Sequence, residues 1–192
     1  MKNIKFLIIL ILAVGVGVGG FLWTKNNIIK GENIRGLASE EPTQVLTQVP
    51  APNFPKTIGD FLVTNREICK EDGKPLAYFF GSSSCTHCVW EKPIAQKVFA
   101  EFKNEIAYHE NFDSQADGEV FQKYADINPG YVPFFVLGCK YARVGAGENL
   151  GKTDEESKKL EGEALTAILC KLTDNKPSSV CSQIREKVSE VK

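Results

Sequence analysis

Apolar and polar residues follow three regimes along this chain. From Phe6 to Trp23 there are 18 uncharged, largely apolar residues, flanked by Lys2, Lys5 and Lys25. At ~1.5 Å per helical residue the run just crosses a hydrocarbon core of ~30 Å. It therefore predicts a transmembrane signal anchor over residues 1–23. A cleaved signal peptide has a shorter apolar stretch and an Ala-x-Ala-like exit. Here only glycines such as Gly17, Gly19 and Gly20 offer small residues, so an uncleaved anchor is preferred. Residues 24–56 carry Pro42, Pro50, Pro52 and Pro55 without sustained periodicity and read as a flexible linker.

From residue 57 the pattern changes to alternating helix and strand signals. Thr57 to Glu71 reads as an amphipathic helix, with Ile58, Phe61, Leu62, Asn65 and Ile68 near one face and Gly73 just past its end. Leu76 to Phe80 is a continuous apolar run, the mark of a strand buried on both faces. A helix is expected from about Cys85 to Lys103, with Trp90, Ile94, Val98 and Phe102 at spacings of four. Glu105 to Phe112 alternates as a strand, and Gly118 to Ala125 is a short helix. After the turn Asn128-Pro129-Gly130, Pro133–Leu137 and Lys140–Val144 read as a hairpin around Gly138. A last helix runs from Thr153 to Leu172, opening on Asp154, Glu155 and Glu156, where negative charge suits a helix N-terminus. The order αβαβαββα places the chain in the α/β class, with a domain over residues 57–182 and a tail over 183–192.

Charge and cysteine content narrow the function classes. With 23 basic and 24 acidic residues, the chain has no basic stripe, which argues against nucleic acid as a partner. Cys69, Cys85, Cys88, Cys139, Cys170 and Cys181 make an even count, which fits an oxidising compartment. Lys25, Lys30 and Arg35 nearly balance Lys2 and Lys5, so positive-inside counting leaves the orientation open. The cysteines place the domain on the extracytoplasmic side.

The segment Ser82-Ser83-Ser84-Cys85-Thr86-His87-Cys88 sits where the buried strand turns into a helix. Unpaired N–H groups and the partial positive charge of a first helical turn stabilise a thiolate there, lowering its pKa. The spacing lets the second thiol close on the first. Cys85 is thus expected to be the attacking thiol and Cys88 the resolving one. A zinc site would need four ligands, and no second closely spaced pair accompanies this one.

Over about residues 57–173 the chain resembles the thioredoxin superfamily. The resemblance is carried by the buried strand, Cys-Thr-His-Cys at a helix start, Pro93 five residues after Cys88, and Val132-Pro133 before a strand. It implies a three-layer sandwich around a central mixed four-stranded sheet. It also implies a cis Val132–Pro133 bond beside the active-site disulfide, and substrate chain held by Val132 and Pro133. The chain departs from thioredoxins proper in having Ser84 before the first cysteine, where they carry Trp. At Phe79 they carry a buried acid that serves proton transfer to the resolving cysteine. Cys-x-His-Cys resembles the oxidase and isomerase branches, in which His87 would hydrogen-bond the Cys85 thiolate. The 44 residues between Cys88 and Pro133 match the minimal thioredoxin spacing, without the helical insertion of DsbA-like proteins.

If the strands run as in that family, Cys69, Cys139, Cys170 and Cys181 gather at the pole away from Cys85. That makes them structural, with Cys170–Cys181 and Cys69–Cys139 the preferred pairs. The expected activity is thiol–disulfide exchange with protein thiols outside the membrane, leaning to oxidase or isomerase chemistry, with no metal or organic cofactor. A membrane redox partner would reset the site: a quinone-linked oxidase, or an electron-importing transporter. The alternatives are a reductase of the same fold and a non-catalytic binding module with a structural Cys85–Cys88 disulfide.

Overall fold

A computed structural model describes residues 53–192. The expected anchor (1–23) and the expected linker (24–56), apart from its last four residues, lie outside the described residues. The elements are a 3-10 turn at Ile58–Asp60, β1 Leu62–Val63, β2 Lys70–Glu71, β3 Lys74–Gly81, α1 Thr86–Glu101, β4 Ala107–Phe112, α2 Gly118–Gln122, β5 Phe134–Leu137, β6 Tyr141–Val144, α3 Asp154–Leu172, α4 Ser178–Cys181 and α5 Arg185–Glu190.

The chain is a mixed α/β structure built on β3. Its alternate residues serve two cores, as the pleat requires. Ala77 and Phe79 pack on one face with residues of α1 and α3, and Tyr78 and Phe80 on the other with Phe121 and Tyr124. Burial on both faces explains the uninterrupted apolar run. β3 runs parallel to β4, to which α1 connects it, and antiparallel to β5. The sheet order is β1-β6-β5-β3-β4, with β2 pairing antiparallel to the start of β3.

Two segments differ from the sequence expectation. No helix spans Thr57 to Glu71. Gly59 and Asp60 adopt left-handed backbone (φ 64° and 59°), which ends the turn after a few residues. Gly59 has little alternative, because a Cβ there would lie 2.5 Å from the Ala164 Cβ. Leu62 and the β-branched Val63 then pair with Ala142 and Tyr141 at the sheet edge. Gly73, expected to follow a helix, instead shares a two-residue hairpin turn with Asp72 between β2 and β3. Both have positive φ (49° and 80°), as a type I′ turn demands.

The segment 183–192, expected as a tail, carries α5 and closes the main core with Val188 and Val191. The Tyr141 hydroxyl donates to the Lys192 carbonyl at 2.9 Å. Ile184, Val188 and Val191 stand four and three residues apart, a one-sided apolar stripe of the kind a packed helix needs.

Cys69 is bonded to Cys139 and Cys170 to Cys181. Cys69 lies just before β2, where its carbonyl accepts the Leu76 N–H of β3 at 3.1 Å, and its N–H bonds the Gly138 carbonyl at 3.1 Å in the β5–β6 turn. That turn lies against Leu172 at the end of α3, where Cys170 sits. Both bridges therefore stand at the end of the sheet opposite to the exit of β3, where Cys85 follows.

Candidate redox site

The site begins where β3 ends. Gly81 closes the strand because a Cβ there would lie 2.8 Å from the Phe112 ring, which packs over it. The loop Ser82–Ser84 is shaped by Asp113, whose Oδ1 accepts the Ser83 N–H and the Ser82 hydroxyl, both at 2.9 Å. The Ser83 N–H, helped by the serine hydroxyls, holds the Asp113 carboxyl below its ordinary value. The Ser82 carbonyl accepts the Cys85 N–H at 3.2 Å, and α1 then starts.

Cys85 is the N-cap of α1, and its sulfur accepts the Cys88 N–H at 3.2 Å. A sulfur in this position replaces the hydroxyl of an ordinary cap and meets the positive end of the helix. Cys85 and Cys88 are disulfide-bonded. Cys85 is half-buried, whereas Cys88 is fully enclosed, so an incoming thiolate can reach only the first sulfur. The Cys85 sulfur lies 3.6 Å from the Val132 carbonyl oxygen. The Val132–Pro133 bond is cis, and Pro133 is buried.

Asn128 holds the approach to that bond: its side chain accepts the Gly130 and Tyr131 N–H groups at 3.0 and 2.7 Å and donates to the Tyr131 carbonyl at 2.8 Å. Tyr131 and Val89, 65% and 53% exposed, leave apolar surface in the segments that carry Val132 and Cys88. In the sequence, Asn128 reads only as a turn former.

His87 faces outward, and its Nδ1 contacts the Glu148 carboxylate in the loop between β6 and α3. The expected His87–Cys85 hydrogen bond is not among the contacts of this oxidised site. Trp90 donates to Asp154 at 2.6 Å, fastening α1 to the first turn of α3. His109, on β4, engages Glu71 and Asp117 and takes no part in the contacts of the cysteine pair.

Sequence reasoning missed Glu91. The buried face of α1 consists of Cys88, Glu91, Ala95, Val98 and Phe99, so an acid follows Cys88 by one turn. The fully enclosed Glu91 accepts the Gly147 N–H at 3.0 Å and an Arg143 guanidinium N–H at 3.2 Å through Oε2, while its buried Oε1 has no partner. Arg143 gives its stronger bonds, 2.5 and 2.7 Å, to the equally buried Glu161.

Burial, reinforced by the charge of Glu161, holds the Glu91 carboxyl well above the ordinary carboxylate range, against the opposing pull of Arg143. Glu91 is therefore neutral near pH 7. The signal was a charged residue three positions after Cys88, in phase with Ala95 and Val98. Phe79, at the position of the absent acid, stacks on Phe135 with ring centroids 4.7 Å apart.

Such an arrangement has the parts for disulfide exchange: an accessible sulfur at a helix cap, an enclosed second sulfur, the Val132 carbonyl beside the first and a neutral acid one turn away. Among the described residues no group of three or more His, Cys, Asp or Glu side chains is placed to hold a metal ion. No helix among them is long and apolar enough to cross a membrane. No protein-family model, curated protein or solved structure matches the chain.

Proposed function

We propose that the chain is a membrane-tethered, extracytoplasmic thiol–disulfide oxidoreductase with a thioredoxin-like fold, exchanging disulfides with protein thiols through Cys85 and Cys88. The observation that carries this reading is the Cys85 sulfur, capping α1 and lying 3.6 Å from the Val132 carbonyl before the cis bond to Pro133. The parallel β3–α1–β4 unit and the β5–β6 hairpin followed by α3 support the fold assignment.

In the oxidising direction, a substrate thiolate attacks the Cys85 sulfur, and the electron pair of the broken S–S bond leaves on Cys88. The Cys88 thiolate takes a proton, and Glu91 is the nearby acid to supply it. A second substrate thiolate then attacks the substrate sulfur of the mixed disulfide and expels Cys85 as a thiolate, which the helix terminus stabilises. The substrate dithiol loses two electrons and two protons; the protein disulfide gains both electrons and, on Cys88, one proton, and the other proton passes to solvent while Cys85 stays a thiolate. A quinone-linked oxidase in the membrane would return the pair to the disulfide. No metal or organic cofactor takes part in this scheme. Substrate chain would lie along Val132 and Pro133.

A second reading, the same exchange run reductively and fed by an electron-importing transporter, is favoured by Glu91. In its ionised minority form, a buried carboxylate of raised pKa is the stronger base that could take the Cys88 proton in that direction.

Both readings are tested by equilibrating the full chain with glutathione buffers and trapping free thiols. The Cys85–Cys88 pair is expected to titrate as a two-electron couple while the other two disulfides persist. A potential near ~−120 mV supports the oxidase, and one near ~−270 mV the reductase. A pair that stays oxidised at every glutathione ratio defeats the proposal and leaves a structural disulfide in a binding module.

A further inference from the structure

Glu148 belongs to no motif, yet it holds the histidine of the Cys-Thr-His-Cys segment. Its position in the β6–α3 loop is built. The Ser157 hydroxyl, fully buried, donates to the Glu148 carbonyl at 2.8 Å and accepts the Gly151 N–H at 3.1 Å. On the other side the Gly147 N–H is held by Glu91 at 3.0 Å. Gly147 is packed so closely on Glu161 that a Cβ would collide with its carboxylate. With backbone fixed on both flanks, the carboxylate meets His87 at no further cost in backbone entropy.

A carboxylate only accepts, so His87 Nδ1 is the donor in this contact. An imidazole engaged this way is withheld from the Cys85 sulfur.

We propose that Glu148 is a positioning residue that restrains the oxidising power of the Cys85–Cys88 disulfide by holding His87 away from Cys85. The proposal rests on the redox reading of that pair. Without Glu148 the imidazole is free to turn to the thiolate, the dithiol form gains stability, and the disulfide becomes the stronger oxidant.

The test compares the full chain with Glu148→Gln, His87→Ala and the double variant, each equilibrated with reduced and oxidised glutathione. In that reaction two glutathione thiols become one glutathione disulfide, while the Cys85–Cys88 disulfide becomes two thiols. Glu148→Gln is expected to shift the equilibrium constant toward the protein dithiol by roughly threefold, the scale of a partly exposed polar side-chain pair. It should also extend the thiolate ultraviolet absorbance of Cys85 to lower pH. In the His87→Ala background the same substitution should change neither. An unchanged or reversed equilibrium in Glu148→Gln overturns the inference, and so does an equal shift without His87, which would mean that Glu148 acts on the thiolate directly. If the wild-type pair never equilibrates with glutathione, the redox reading falls first and this inference falls with it.

Discussion

Glu91 follows Cys88 by one turn on the buried face of α1, where the core offers its Oε1 no hydrogen-bond partner. A neutral acid behind a resolving cysteine has a use in the proposed chemistry. Replacing it with Gln keeps the shape and removes the proton. Glu91→Gln is expected to slow the step in which Cys88 gains or loses its proton by on the order of ten- to a hundredfold. Initial attack on Cys85 should change little. Rapid-mixing kinetics of mixed-disulfide formation and of its resolution separate the two, and equal slowing of both would argue against a proton-transfer role.

Stability should carry the same signature in the oxidised protein. An unfolded glutamate titrates near ~4.3, whereas burial and Glu161 push Glu91 up to about 9. The folded state therefore binds the proton more tightly. This contribution is complete below the unfolded value and is lost as pH rises toward the folded one. Urea unfolding at pH 5, 7 and 9 should show a decline in the wild type that is shallower in Glu91→Gln, and parallel declines would contradict it.

The two cysteines have unequal exposure, and their variants should differ accordingly. Cys88→Ala leaves the accessible Cys85 able to hold a substrate in a mixed disulfide that nothing resolves. Cys85→Ala leaves only the enclosed sulfur and should trap none. Non-reducing electrophoresis after incubation with a reduced or scrambled substrate protein distinguishes them.

Cys170–Cys181 closes a short loop at the far pole. Changing both to Ala is expected to lower stability by about 3 kcal/mol, the loop-closure contribution for a bridge of this span. Exchange at Cys85 should keep its rate under conditions where the variant stays folded. Denaturant titration and a thiol-exchange assay test the two halves.

Gly81 sets the exit from β3 beneath Phe112. Gly81→Ala is expected to cost about 1–3 kcal/mol through overpacking, and to disturb the start of α1 that follows. Thermal unfolding together with the glutathione equilibrium would register both effects.

Much of this architecture was legible because its signals are local. The unbroken run Leu76–Phe80, Cys-Thr-His-Cys at a strand-to-helix junction and Asp154–Glu156 at a helix start are each decided within a few residues. Two readings failed on local ambiguity. Ile58, Phe61, Leu62 and Ile68 suit a helical face, but Gly59 and Asp60 turn the chain, and the pairing of Leu62 and Val63 with β6 takes over. Asp72-Gly73 was itself a hairpin signal, hidden by reading Gly73 as a helix stop.

Short-range spacing thus placed Cys85 and Cys88 at a helix start and Val132-Pro133 before a strand, since helix caps and apolar periodicity depend on neighbours alone. Only the folded chain brought Arg143, Gly147 and Glu161 around Glu91, and Glu148 against His87. Arg143 and Gly147 lie 52 and 56 residues from Glu91, and Glu148 lies 61 from His87. Burial and desolvation, which make Glu91 neutral, arise from packing across such distances and leave no mark in the residues beside it.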